Sequence, residues 1–498
     1  MSIIQWLLSV IPWILLVIIT ATIVITLLCK YPAWDSKKKD SNGRPNKPRH
    51  EKWFYAWIIG IAVLGGTWAF FLPIAINSGF GKDDDGAALR QALIYTTGGI
   101  LGVITLGETH RKNTLEKTKN DQDHTRQVHA ERRSRYTTAV EQLSSDKASI
   151  RLGGVYTLVG LVDEWLSDEK TTPTLEERRK EGQVIINNLC AYIRSPLPLA
   201  ERAEQLDKDY AKDLQNDFDG DIEKFDADKR AFARDKAALE EERQVRESII
   251  KEIRERLQDF GAPGLWSEFD YDFSNAHFFY PIVSTNSYFD ASSRFFGATF
   301  TQAADFSGTT FTGYANSIGY ANFSGATFTQ GAYFIGATFT QGANFSEATF
   351  TEGADFFGAT FTQAADFSRA TFTQGAYFIG ATFTQHANFS RATFTQHASF
   401  FDATFTEGAD FFDATFTQHA NFSRAIFHSE PSFTDVLGKA RFSHKVAPES
   451  YSFGVNPDSP CKIEIEEQEH NGVKFIIPKG TELFDPDEPS DLEDDDES

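Results

Sequence analysis

Between Phe323 and Phe433 the apolar positions follow a rhythm that belongs to neither a helix nor an ordinary strand. Twenty-one phenylalanines stand at strictly alternating steps of five and six residues, and Ala lies two positions ahead of twenty of them. A helix repeats near 3.6 residues and a strand at 2, whereas a fixed period of eleven marks one structural unit stacked on itself. Each unit cannot bury its apolar face alone, so the stack is the fold. The residues between the phenylalanines are mostly Thr, Gln, Asn, Asp, Ser and Gly, which belong on an outer surface. This pattern predicts a solenoid. Its ends would expose strand edges, so the chain is expected to cap them, with Leu265 and Trp266 at the first end and Val473, Phe475 and Ile476 at the second.

Upstream the pattern changes to long apolar runs and then to helical spacing. Residues 3–28 are apolar and uncharged, long enough to cross a hydrocarbon core of about 30 Å. Further runs follow at 53–76 and 88–107. These predict transmembrane helices at 1–29, 53–76 and 88–107, with a basic loop at 30–52 and an acidic one at 77–87. The 30–52 loop holds eight Lys/Arg, the 77–87 loop holds Asp83, Asp84 and Asp85, and Arg111, Lys112, Lys117 and Lys119 follow the third run. By the positive-inside rule the N-terminus lies outside and everything beyond residue 108 is cytoplasmic. Ala139, Leu143, Ile150, Leu152, Val155, Leu158, Val159 and Leu161 then recur at helical spacing and predict a helical module over 108–195. Gly153 and Gly154 inside it point to close helix–helix approach. The segment 196–262 reads as a charged, coiled-coil-like linker, because Phe218, Phe225, Phe232 and Leu239 are seven apart while the second seam position fails. Asp217–Gly220 does not satisfy a calcium loop, since Gln215 and Asp226 stand where Asp and Glu are needed.

Composition adds a few limits. The 498 residues include 46 Phe and only 3 Cys, scattered and odd in number, so no disulfide framework exists. The net charge of −22 is concentrated: residues 462–498 carry fourteen Asp/Glu against three Lys. Residues 481–498 read as a disordered acidic tail, after a C-terminal cap at 443–480. No Gly-rich phosphate loop, nucleophile elbow or metal-ligand cluster is present, so the chain reads as non-enzymatic, with no catalytic residue, cofactor or metal expected.

The unit Ala-Thr-Phe-Thr-Gln-x-Ala-(Asn/Asp)-Phe resembles Phe-type pentapeptide repeats. The helical block, with Arg135-Tyr136-Thr137, Arg151-Leu152-Gly153-Gly154-Val155-Tyr156 and Leu189-Cys190-Ala191-Tyr192, is similar to that of bacterial pentapeptide-repeat membrane proteins. The resemblance implies a membrane-anchored α + β-solenoid: transmembrane helices, a helical juxtamembrane module and a right-handed quadrilateral β-helix over 263–442. It also implies a multi-pass protein of the bacterial inner membrane with its C-terminal region cytoplasmic. Four sides per coil make 22 residues, with Phe in the centre and Ala turned inward, and about seven coils from Phe273 to Phe433. In that register Ser284 and Ser317 take the place of Phe, and Pro431 breaks the Ala column.

A 22-residue coil also makes the outside readable. Ile335, Phe357, Ile379 and Phe401 fall in one column, with Tyr333 and Tyr377 beside it, and are the expected interaction stripe. Glu347 with Arg369, and Arg391 with Asp413, should pair along another column, and His397 with His419 should stack without forming a metal site. The function expected is a membrane-anchored scaffold presenting the β-helix for protein–protein interaction. Its expected partners are the lipid bilayer and a protein, with homo-oligomerisation open and no nucleic acid. Alternatives are a DNA-mimic regulator of a DNA-binding enzyme and a membrane transport or signalling component. The DNA mimic lacks charge density, since residues 300–433 hold ten Asp/Glu and three Arg.

Overall fold

The computed structural model of the chain describes residues 11, 13–23, 26, 50–75, 85–210, 222–313, 321–436 and 438–488. Expectations placed on the 30–49 loop, Asp83 and Asp84, the Asp217–Gly220 turn, Phe218, Ser317 and the tail beyond residue 488 fall outside these residues, as does most of the first apolar run. The contacts divide the chain into two units, 1–127 and 128–498.

In the first unit, a helix spans His50–Ala75 and another begins at Asp85 and runs to Leu143. Of the three expected spans, the described residues supply one long and apolar enough to cross a membrane, within Ala88–Leu143. The apolar helical stretches Trp13–Ile23 and Trp57–Leu72 are shorter. The helix does not stop at Gly107, where the membrane-type composition ends. No Pro interrupts the next turns, and Thr109 and Thr114 donate back to the carbonyls of Thr105 and His110 at 2.9 Å each, so the helix continues while its side chains change from apolar to charged.

In the second unit, helices Ala148–Ser167, Leu175–Arg194 and Ile222–Leu257 pack with the end of the Asp85–Leu143 helix around Ala139, Val155, Leu158, Leu161, Ile186, Leu189 and Ile193, all buried. Of the adjacent glycines, Gly154 is the one the packing requires: a Cβ there would lie 2.7 Å from the carbonyl oxygen of Ala139. Gly153 faces open space, and Ile150 is exposed. The coiled-coil expectation for 196–262 is corrected. The Ile222–Leu257 helix spends its apolar face inside its own chain, burying Leu239, Val245, Ile249, Ile253 and Leu257. Arg246 anchors it. Its guanidinium, 2 % exposed, donates to the carbonyls of Ile193 at 2.7 Å and Ser195 at 2.8 Å and pairs with Glu242 at 2.7 Å. A seven-residue spacing of four apolar residues cannot distinguish a seam for a second chain from one for a neighbouring helix.

From Tyr271 the chain winds through four parallel sheets of seven, seven, nine and eight strands, nearly all two residues long, forming a β-solenoid of about seven turns. Successive coils align residue on equivalent residue: Thr349 pairs with Thr371, Ala354 with Ala376, Thr360 with Thr382 and Ala365 with Ala387. The interior is phenylalanine in four face-to-face ladders. Phe345 and Phe367 lie 4.9 Å apart at 1°, and Phe361 and Phe383 lie 4.8 Å apart at 1°. Rings from adjacent sides meet edge to face, as Phe356 and Phe367 do at 5.3 Å and 88°. The edge-to-face contacts satisfy the ring quadrupole, and the parallel rings, with centroids near 4.9 Å, do so as offset stacks. The buried Ala residues leave the rings their room.

Two register expectations change. Ser284 does occupy the position beneath Phe306, and the next rung above Phe295 is Phe323. Thr299 pairs with Thr327, 28 residues on, where later coils advance by 22, as from Thr327 to Thr349. Phe323 therefore continues the ladder of Phe295, at 4.7 Å and 3°, and six extra residues fall between Phe311 and Phe323. The rhythm also outlasts Phe433. Phe442 stacks on Phe416 at 4.9 Å and Phe453 on Phe422 at 5.7 Å, at spacings too irregular to read as a repeat. At the caps, Trp266 is fully buried and donates from Nε1 to Asp163 at 2.8 Å, whereas Leu265 is exposed. The hairpin Ile465–His470/Val473–Pro478 turns Phe475 and Ile477 inward and Ile476 outward; Val473, on the same face as Phe475, is exposed because it lies at the turn end of the hairpin.

Two outcomes follow. Phe367→Ala, which empties one ring from the ladder, should cost about 3–5 kcal/mol in denaturant unfolding. Phe357→Ala, on the outside of the solenoid, should change stability by less than about 0.5 kcal/mol. Equal effects would mean that the ladders are not the source of stability. In the helical block, Cys190 is buried and its thiol is pushed up to about 12 by that burial. Iodoacetamide at pH 7.5 should therefore label Cys461 in the folded protein and reach Cys190 only after unfolding.

Candidate functional site

The expected stripe is a line on one side of the solenoid, over the sheet containing Ala332–Tyr333, Ala354–Asp355, Ala376–Tyr377 and His397–Ser399. Ladder bonds fix its alignment: Gly336 donates to the carbonyl of Phe357 at 2.8 Å, Gly358 to Ile379 at 2.9 Å and Gly380 to Phe401 at 2.9 Å. Ile335 is 38 % and Phe357 52 % exposed, while Ile379 and Phe401 are half-buried. Each stripe residue sits just before a corner with positive φ, 64° at Gly358, which only Gly adopts without strain. The fourth and fifth such corners carry Asp402 and Arg424 instead. These two pair at 3.4 Å, and the Arg424 guanidinium lies 5.4 Å from the centre of the Phe401 ring, so a charged pair closes one end of the apolar line.

Beside the stripe runs an outer set of rings. Tyr333 and Tyr377 fold back along their own strands onto Gly331 and Gly375: a Cβ at Gly331 would lie 2.5 Å from the Tyr333 hydroxyl, and one at Gly375 would collide with Tyr377. In the next coils the glycine column becomes His397 and His419. Tyr377 and His397 lie 5.7 Å apart and His397 and His419 5.6 Å apart. Burial, and secondarily the His419 ring, hold the His397 imidazole below its usual range. Among the described residues no group of three or more His, Cys, Asp or Glu could hold a metal ion. The coil between the two tyrosines has no ring. Asp355 turns the other way to accept from the amide of Phe357 at 2.9 Å, and the position above Gly353 is bare.

On another side, Glu347 and Arg369 pair at 3.3 Å and Arg391 and Asp413 at 3.4 Å, in one column of left-handed corners. His386 meets Asp410 at 2.8 Å across one coil, a pair the sequence reading did not find. The Tyr–Gly coupling was also missed there, although its signal is in the text of the chain: both tyrosines close the same string, Thr-Gln-Gly-Ala-Tyr.

With this geometry established, the comparisons with known proteins are specific about one region. Residues 318–360 and 356–404 match the family described as pentapeptide repeats (9 copies). The solenoid is built of pentapeptide repeats. The match covers none of the helical segments. Comparison of the chain with curated proteins and with solved structures finds no match. The pentapeptide-repeat family is generally non-catalytic, in keeping with a side surface made of ladders rather than clefts.

The exposed pairs on this surface should contribute little. A double-mutant cycle on Glu347 and Arg369 should give a coupling below about 1 kcal/mol that fades with added salt. A coupling well above that value would identify the charged column, rather than the phenylalanine ladders, as a major stabiliser.

Proposed function

We propose that this chain is a non-enzymatic scaffold held at a membrane by its apolar N-terminal region, with the pentapeptide-repeat solenoid presenting a fixed surface to a protein. The observation that carries this reading is the line Ile335, Phe357, Ile379 and Phe401, exposed at its first two residues and half-buried at the last two, on a solenoid whose own core is already filled. Large apolar side chains in one line on an otherwise polar repeat increase the apolar surface facing water, and such patches mark contact sites. The ladders beneath it hold the line rigid, so binding requires little ordering of this partner. The apolar helix within Ala88–Leu143 supports the membrane tether. The Lys and Arg residues that follow it favour a cytoplasmic solenoid by the positive-inside rule.

The polar column on the opposite side of the solenoid weakens the DNA-mimic alternative. Asn322, Asn344 and Asn388 interrupt Asp366 and Asp410, so the negative charge is discontinuous.

Proximity labelling in the native cell tests the scaffold reading by comparing the intact chain with one carrying Ile335, Phe357, Ile379 and Phe401 all changed to Ser. The variant should fold, by circular dichroism, and lose a defined set of neighbours. An unchanged neighbour set in a folded variant would remove the stripe from the function.

A further inference from the structure

We infer that the stripe face receives an arginine side chain of its protein partner, seated over Gly353 between the rings of Tyr333 and Tyr377. This rests on the scaffold reading above and names the chemistry that the partner must bring. The place is open. Tyr333 and Tyr377 lie over the glycines one coil to either side, so their rings are two strand spacings apart, about 10 Å. A Cβ at Gly353 would have its nearest neighbour, the carbonyl oxygen of Gly375, at 4.0 Å. A flat group midway would lie about 5 Å from each ring, inside the range of about 6 Å over which an aromatic face holds a cation.

The chain itself shows what such a gap holds. The ten residues Ala-Thr-Phe-Thr-Glu-Gly-Ala-Asp-Phe-Phe occur twice, at 348–357 and 403–412. In the second occurrence the place over the glycine is filled from the coil before. The His386 ring brings Cδ2 within 3.2 Å of where a Cβ of Gly408 would be, and its Nε2 lies 2.8 Å from the Asp410 carboxylate. Asp355, the counterpart of Asp410, has no ring over Gly353 to meet and accepts from the amide of Phe357 instead. The place over Gly353 is therefore the same seat for a flat nitrogen group, left open by this chain.

Charge selects the group. Glu347, Asp413, Asp402 and Asp410 each have a partner on an adjacent coil, in Arg369, Arg391, Arg424 and His386. Glu352 and Asp355, on either side of Gly353 along the chain, enter no ion pair among the described residues. A neutral aromatic ring would stack but leave both carboxylates without a cation. An ammonium would supply the charge without stacking. A guanidinium is flat, stacks on aromatic faces and donates from two edges, so it meets both rings and both carboxylates together. On the same face the chain already sets a guanidinium against a ring, with Arg424 5.4 Å from the centre of Phe401. Phe357 closes the same ten-residue string, so apolar residues next to the incoming arginine reach the stripe.

The test uses the full chain in detergent and, as probe, Nα-acetyl-arginine N-methylamide. The citrulline analogue, of the same shape without the charge, and the lysine analogue are run beside it. Saturation-transfer NMR should show saturable binding of the arginine probe at about 1–10 mM and binding at least about tenfold weaker for the other two. Gly353→His fills the gap with the residue that the same column carries at His397 and His419, and the backbone at Gly353 is not left-handed, so the ring is accommodated. It should abolish probe binding. Glu352→Gln together with Asp355→Asn should weaken it at least about tenfold. Glu407→Gln, in the string whose gap His386 already fills, should leave it unchanged. Circular dichroism checks that each variant is folded. No saturable binding, a citrulline or lysine probe bound as tightly, or binding indifferent to Gly353→His would each overturn the proposal. In the native cell, Gly353→His should lose the neighbours that the four-Ser variant loses. Neighbours lost with the four-Ser change but kept with Gly353→His would overturn the arginine site and leave the scaffold reading standing. Neighbours kept by both variants while the probe still binds would remove the scaffold reading and leave the arginine site standing.

Discussion

Face-to-face stacking of phenylalanine at the spacing of β-strands is the constraint on which the solenoid depends. Parallel backbone bonding sets neighbouring coils at about 4.8 Å, and flat rings stack at nearly the same distance. Ladder and backbone therefore reinforce each other: Phe350 and Phe372 lie 4.9 Å apart at 1° while Thr349 and Thr371 pair between the same two coils. The small Ala beside each ring follows from the same geometry, since four rings meeting edge to face leave no space for a larger neighbour. Once the inside is fixed, every outward position recurs in line, and a single substitution pattern along the chain becomes a column on the surface.

That coupling explains which parts of the molecule were legible in the sequence. The ladder could be read because one residue type at one spacing has only one use, and the stripe followed because its residues lie 22 apart. The caps were half legible. Apolar content singled out 473–476, but strand parity puts Ile476 on the outer face and Ile477 with Phe475 on the inner one, while Val473 shares the inner parity and is exposed by its place beside the turn. Ser317 was misread because a 28-residue coil looks like a missing Phe when only the count is followed. Phe225, Phe232 and Leu239 gave the right face of the right helix but not its neighbour, since heptad spacing is silent on whether the opposing helix belongs to the same chain. The empty place at Gly353 is defined by rings two coils apart, and no local window of sequence contains both.

The helical block shows a different economy. Its core is aliphatic, and its charged groups are held by geometry rather than exposed to solvent. Arg132 reaches Asp168 at 2.7 Å and lies 4.6 Å from the Trp165 ring centre, and Arg256 bridges Asp163 while covering Trp266. Trp266 belongs to both structures, plugging the first coil and bonding to the helices through Asp163. The solenoid's first edge is thereby covered by part of the same chain, which removes a site of unwanted strand pairing.

The long second coil has a consequence of its own. Six residues more than the usual 22 enter between Phe311 and Phe323, yet the rings of Phe295 and Phe323 remain 4.7 Å apart and within 3° of parallel. A corner of the solenoid thus acts as a port, where length can be added laterally while the stack closes beneath it without a fault. Loop closure there grows only with the logarithm of the added length. New surface features can accordingly arise at corners, one at a time, on a scaffold whose register is indifferent to them.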